Sequence, residues 1–229
     1  ESFRDCGCDR ICPEDEGWTA ADAGEGDGEF QAVWIAGFGD GRPASGVHDD
    51  LMAGAVVMRS GDTTVVLVSL DLVGWFYNNT VLIREAVAAR GVDVDLVMVQ
   101  ASHNHEGPDT LGQWGERVGK TGVDPDYIDW VVTNAADAVQ EAYEGLVEAE
   151  LIAGAIDTAA PFGEKGTRNT IRDSRDPVVI DEMLYTAHLR ALDGTAIATL
   201  INWGNHPEVL WSRNTEITSD YPHYLRESV

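Results

Sequence analysis

“VMVQASHNHEGPDT”, residues 97–110, runs from an apolar stretch straight into two histidines one residue apart, followed by Glu106, Gly107, Pro108 and Asp109. Only six histidines occur in the 229 residues, so the pairing is worth explaining. The segment “VDVDLVMVQAS” (92–102) reads as a strand leading into the pair. Upstream, “NNTVLIREAVAARG” (78–91) reads as a helix: Asn79 or Thr80 can cap its start, its interior holds good helix formers, and Gly91 closes it. Further back, “LMAGAVVMRS” (51–60) and “TTVVLVSLDLVGW” (63–75) flank Gly61–Asp62, the pattern of a tight hairpin. Strand, helix and strand in succession predict an α/β fold of mixed sheets with flanking helices, its site loops at the C-terminal ends of strands.

The rest of the chain extends this reading. “FQAVWIAGF” (30–38) predicts a strand, and “GDGRPASGVHDD” after it a loop of turn formers. In “DPDYIDWVVTNAADAVQEAYEG” (124–145) the residues Ile128, Val131, Val132, Ala135, Ala138 and Val139 recur at helical spacing. Asp124, Asp126 and Asp129 at its start suit the positive end of the helix dipole. Then follow a strand over 147–157, a hairpin over 183–204 turning at Asp193–Gly194, and a short helix around “YPHYLRES”. No internal repeat or linker divides these elements, so residues 30–229 read as one α/β unit. Residues 1–29, acidic and Gly-rich, read as an arm. Val229 follows a helix start with no stop signal, so the domain is expected to be incomplete there.

Composition excludes several function classes. Hydrophobic residues make up 44% of the chain, which fits a globular core. The longest apolar run is broken by Asp71 and falls short of the roughly 18–20 residues of a membrane helix, so no transmembrane segment is expected. A formal charge of −25 repels phosphate backbones and argues against nucleic acid as a partner. Cys6, Cys8 and Cys12 cluster in “CGCDRIC”; they can hold zinc, or form one disulfide with a cysteine left over. The disulfide would fit export. A start at Glu1 without Met or an apolar segment is consistent with a removed signal peptide or a trimmed chain. The expectation is a secreted, periplasmic or cell-surface protein.

Three groups of residues can carry chemistry. On a continuing strand, residues i and i+2 share a side, so His103 and His105 can present two imidazoles to one metal or substrate. His206, in “ATLINWGNHPEVLW”, also follows an apolar strand, and it can reach the same point if the two strands are neighbours. Neutral imidazole is the usual zinc ligand, and Glu106 or Glu208 can orient a ligand or take a proton. “GTRNTIRDSRDP” gathers Arg168, Arg172 and Arg175 in a chain poor in positive charge. An arginine there can grip a polar substrate group, or pair with Asp173, Asp176 and the acidic surface. His48, His188 and His223 read as hydrogen-bonded or packed histidines.

“ASHNHEGPD” resembles the Thr/Ser-His-x-His-x-Gly-Pro signature of the neutral/alkaline (non-lysosomal) ceramidase family, zinc amidohydrolases that cleave N-acyl sphingosines. The likeness is collinear over most of the chain. “SGVHDDLMAGAVVM” is similar to the family's early Ser-Gly-Ile-His segment, and “VVLVSLDLVGW” to its strand ending in Asp. “TRNTIRD” and “VIDEMLYTAHLR” resemble its Asn-Arg-Ser loop and Asp-x-Glu-Met strand, and “NWGNHPEVLWSRNTEITSDYPHY” its second zinc-histidine loop. The resemblance implies a Zn2+ cofactor with His103 and His206 as metal ligands. It places His105 beside the metal, on the substrate or the intermediate, and Arg168 near the scissile amide. It makes residues 30–229 the N-terminal part of a ceramidase-like catalytic domain. The family's other ligands, a glutamate and a tyrosine, have no counterpart before Val229, so the C-terminal remainder is an expected partner, continuous or as a second chain. “NHPEVLW” stands where the family has a run of small residues, and the surroundings of “RNTIRD” also differ. The implied activity is therefore metal-dependent hydrolysis of a linear amide in an N-acyl small molecule or lipid. Two rivals are a self-cleaved hydrolase with an N-terminal nucleophile after Val229, and a non-catalytic exported binding protein on the same scaffold.

Overall fold

A hairpin, a helix and a parallel strand build the first layer. In the computed structural model, which describes residues 13–14, 19, 32–159, 163 and 166–229, β2 (Ala53–Ser60) and β3 (Thr63–Leu70) pair antiparallel from Ala53 opposite Leu70 to Ser60 opposite Thr63. Gly61 takes the first turn position at φ +58°, where a two-residue hairpin asks for positive φ. α1 (Tyr77–Ala89) then carries the chain to β4 (Leu96–Ala101), which pairs parallel with β3. Gly91 follows the end of α1 as expected, but the expected cap does not form. Asn79 and Thr80 lie inside the helix, Phe76 precedes it without a side-chain cap, and the Thr80 hydroxyl donates back to the Phe76 carbonyl at 3.5 Å.

α2 (Pro125–Glu144) begins as its sequence asks, with the Asp124 side chain accepting from the Asp126 N–H at 2.8 Å and Pro125 in the first turn. Its buried face is Ile128, Val131, Val132, Ala135, Ala136 and Val139; Ala138 is only half-buried. All of this face except Ile128 joins Val66, Val68 and Leu70 of β3 and Ile83 and Val87 of α1 in the core. The three β3 residues alternate along the strand, so one side of the sheet supplies the apolar surface. Ile83 is fully buried, and Ile83→Ala is expected to cost about 2–5 kcal/mol through lost burial and the cavity left behind. Urea denaturation checks this, and a change below about 1 kcal/mol would remove Ile83 from the core.

The second layer is an antiparallel sheet of β5 (Ala149–Asp157), β6 (Met183–Ala191) and β7 (Ala196–Trp203), with a bulge at Leu189/Arg190. Two short strands, β1 (Gly46–Val47) and β8 (Glu216–Ile217), pair parallel and join the segment before β2 to the segment before the last helix. α3 (Tyr221–Glu227) closes the described chain, its first N–H received by the Asp220 carboxylate. Although no stop residue marks its end, α3 finishes at Glu227, with the Ser228 N–H returning to the Tyr224 and Leu225 carbonyls.

One expected strand is absent. Residues 32–38 make only isolated bridges, Trp34 to Pro43 and Ile35 to Pro108, because Gly37 at φ +107° turns the backbone out of the extended region. The segment instead clasps the histidine loop, with the Ala36 N–H on the Gly107 carbonyl at 3.0 Å. The architecture is the expected α/β one with mixed sheets. Among the described residues no helix is long and apolar enough to cross a membrane. Cys6, Cys8 and Cys12, and nearly all of the expected N-terminal arm, lie outside the described residues.

Candidate metal centre

His103 and His105 meet, though not by strand alternation. β4 ends at Ala101, and His103 sits in the left-handed region at φ 66°, which a side chain other than glycine enters rarely and at a cost. The intervening Asn104 is fully buried and holds the turn. Its Nδ2 donates to the Asp71 carbonyl at 3.2 Å and the Thr218 carbonyl at 2.7 Å, and its Oδ1 accepts from the Glu106 N–H. Nor are the two parent strands neighbours, since β4 and β7 belong to different sheets. The loops join directly: the His105 N–H donates to the Pro207 carbonyl at 3.2 Å, beside His206.

Three imidazoles converge as a result. The Nε2 of His105 lies 3.3 Å from that of His103 and 2.9 Å from that of His206. The rings of His103 and His206 are stacked, 13° from parallel, and His105 stands across both at 85° and 90°. One nitrogen from each of the three lies within 4.8 Å of the others, and such a group can hold a metal ion. Burial, then His206 and His103, hold the His105 imidazole down to about 4, so it is neutral near pH 7. Burial lowers His206 as well, against the pull of Glu208. Neutral imidazole is the form that ligates.

The surroundings fix these rings. The Nδ1 of His103 is 2.7 Å from the Val73 carbonyl. The Glu208 carboxylate reaches the other two, with Oε1 3.3 Å from His206 Nδ1 and Oε2 3.5 Å from His105 Nδ1. Phe38 meets His105 edge-on at 5.0 Å, and Gly37 packs against it so closely that a Cβ there would lie 2.4 Å from the His105 Cγ. Glu106 does neither job expected of it. Fully buried, it is paired with Arg42 at 3.0 Å and bonded to Asn214 at 2.9 Å. Arg42 also donates to the Ala36 and Asn214 carbonyls, so one guanidinium fastens three segments around the histidines. Asp109 receives the N–H groups of Leu111, Gly112, Trp114 and Gly122, shaping the loop beyond the pair.

Arg168 lies on a single 3₁₀ turn, Gly166–Asn169, and pairs with Glu182 at 2.7 Å. Its turn is bound to the His206 strand, because Trp203 Nε1 donates to the Thr167 hydroxyl and the Thr170 hydroxyl donates to Asn205. Arg175 pairs with Asp173, the surface ion pair that the sequence allowed. His188 bonds the Thr199 hydroxyl at 2.9 Å within its hairpin, and His48 the Tyr224 hydroxyl at 3.1 Å. His223 lies between Asp49 and Glu227. None of these three is among the converging imidazoles. Gly37, Arg42, Asn104 and Asp109 were not singled out from sequence. The one available signal was for Arg42, a cation in a chain with 15 of them against 40 acids, set in a loop of turn formers.

No protein-family model matches the chain, and no curated protein matches it. Solved structures do. The neutral ceramidase from Pseudomonas aeruginosa superposes with a TM-score of 0.66 at 18% identity, covering 83% of this chain and 32% of that one. A ceramidase complexed with C2 gives a TM-score of 0.62, also at 18% identity, over 83% of this chain and 31% of that one. The fold is thus ceramidase-like, and the chain spans about a third of the length of the ceramidases it matches.

Proposed function

We propose that this chain carries the metal-binding part of a zinc-dependent hydrolase that cleaves the amide bond of an N-acyl substrate, a small molecule or a lipid. One observation carries the reading: three imidazoles converge through Nε2 in a fold shared with neutral ceramidases. His103 and His206 hold the ion with His105 beside them, and Arg168 meets the substrate. An all-nitrogen donor set suits zinc, which when bound polarises a carbonyl and acidifies a water. The remaining work falls to the chain. His103 is aimed by the contact of its Nδ1 with the Val73 carbonyl and His206 by the nearby Glu208 carboxylate, and on this reading Arg168, whose turn is tied to the His206 strand, would neutralise charge developing on the carbonyl oxygen.

The glutamate and tyrosine that the ceramidase resemblance adds belong, on this reading, to the same protein beyond the third of the ceramidase length spanned here. Secretion is part of the proposal and is supported by the clustered cysteines. The full protein, purified and assayed on N-acyl amides of graded chain length, should contain stoichiometric zinc and lose hydrolysis on chelation. Zinc-loaded protein without any such hydrolysis would favour the non-catalytic rival. Arg168→Ala should leave zinc content unchanged and lower kcat/KM by about 10²–10³, the range for loss of one oxyanion donor. Loss of zinc together with rate would make Arg168 a structural residue.

A further inference from the structure

A cavity of about 330 Å³ opens between α2 and the start of β2, and none of the three converging imidazoles lines it. Its volume falls in the range of small-molecule sites, about 300–1,000 Å³. The floor is apolar and buried, made by Leu70 at the end of β3, Leu72 just beyond it and Val131 of α2. The mouth comes from one stripe of α2. Tyr127, Trp130, Asn134, Asp137 and Glu141 follow one another at alternating steps of three and four, which puts them on one face of the helix. Tyr127 is half-buried and the other four are exposed.

What this stripe leaves open is mostly acceptor. Asn134 spends its Nδ2 on the Trp130 carbonyl at 2.8 Å and keeps Oδ1. Asp137 takes both Arg90 bonds on Oδ1, at 2.6 and 2.8 Å, and keeps Oδ2. The Glu141 carboxylate makes no ion pair among the described residues, and no lysine or arginine among them lines the cavity. Asp71, also in the lining, is matched by Arg226 at 2.7 Å. Burial, and then the charge of Asp71, push the Tyr127 phenol above its ordinary value, so it stays neutral. The Tyr127 and Trp130 rings stack 25° from parallel at 5.9 Å, and the negative face of such a ring attracts a cation. An inorganic cation would leave the apolar floor bare, and a fatty acid would set its carboxylate against Glu141. An organic cation satisfies mouth and floor together.

We propose that this cavity binds a small organic amine, protonated at neutral pH, whose ammonium group lies among Glu141, Asp137 and the Trp130 ring and whose apolar body reaches down to Leu70 and Leu72. The site goes beyond the hydrolase reading and does not depend on it, because no residue of the metal centre takes part. Asn134 and Asp137 supply the directional acceptors for the ammonium N–H groups, and Glu141 supplies the uncompensated charge.

The test is calorimetric titration of the full protein with octylammonium at physiological salt, after treatment with chelator so that the amine has no metal ion to ligate. One saturable site is expected, with 1-octanol and octanoate binding more weakly. Glu141→Gln and Trp130→Ala should each weaken octylammonium by about 2–5-fold, the worth of an exposed ion pair or cation–π contact. Trp130→Phe, which keeps a ring, should retain most of the affinity. All three variants alter exposed side chains, so the melting temperature without ligand should not move. Octanol binding as tightly as octylammonium would overturn the proposal by removing the need for charge. Unchanged affinity in both Glu141→Gln and Trp130→Ala would overturn it too, assigning the binding to the general pull of a chain with a net charge of −25. So would the absence of a saturable site.

Discussion

On the proposed zinc-hydrolase reading, replacing His103 with alanine is expected to abolish metal binding and take hydrolysis to background. His103 supplies one of three converging Nε2 atoms, and its ring is aimed by the bond from Nδ1 to the Val73 carbonyl. Removing an outer-shell partner of a metal ligand costs about 10–100-fold in affinity, and removing the ligand itself should cost more. Metal analysis after dialysis and an amide-hydrolysis assay read the two losses separately. Full hydrolytic activity in His103→Ala would sink the metal mechanism. The same residue allows a second check, because its backbone is at φ 66°. His103→Gly should likewise abolish metal binding but leave the apo protein as stable as wild type or more so, since a left-handed backbone costs a side chain of order 1–3 kcal/mol. A metal-free variant that gains stability would mark the strain as a cost of the site.

Gly37→Ala is expected to damage the site from the opposite side. Position 37 is at φ +107°, and its Cβ would fall 2.4 Å from His105 Cγ and 2.6 Å from His105 Cβ and Nδ1. The backbone strain is of order 1–3 kcal/mol, and overpacking commonly costs about 1–3 kcal/mol more. His105 cannot yield easily, because its N–H is bound to Pro207 and its ring is bounded by Phe38. The variant should therefore lose roughly 2–6 kcal/mol of stability or, if the ring is displaced instead, lose metal affinity. Denaturant melts and chelator competition together cover both outcomes. Unchanged stability with unchanged affinity would show that the close approach of Gly37 to His105 has no consequence.

Much of the fold was legible because the relevant chemistry is local. Gly61–Asp62 between two β-branched runs specifies a hairpin, and Asp124–Pro125 before an apolar stripe specifies the start of α2. Where a local signal misled, a contact from elsewhere prevailed. “FQAVWIAGF” has strand composition, yet Gly37 bends it so that Ala36 can bind Gly107. The His-x-His spacing correctly marked two residues that meet, for a wrong reason. They meet because Asn104, pinned to Asp71 and Thr218, forces a turn, and not because a strand continues.

The sequence by itself determined which side chains are available: six histidines, three of them just beyond predicted strands, a carboxylate two residues after His206, and few cations to spare. Tertiary structure decided which of these act together. His206 reaches His105 across 101 positions, and Arg42 reaches Asn214 across 172. Glu208 could be named from sequence as a candidate to orient a ligand, but that it faces two rings at once required both loops in place. The physical reason is range. Turn, cap and periodic signals act over a few residues through the backbone's own hydrogen bonds. The convergence of three imidazoles depends instead on long-range bonds from buried groups such as Asn104, which no local pattern encodes.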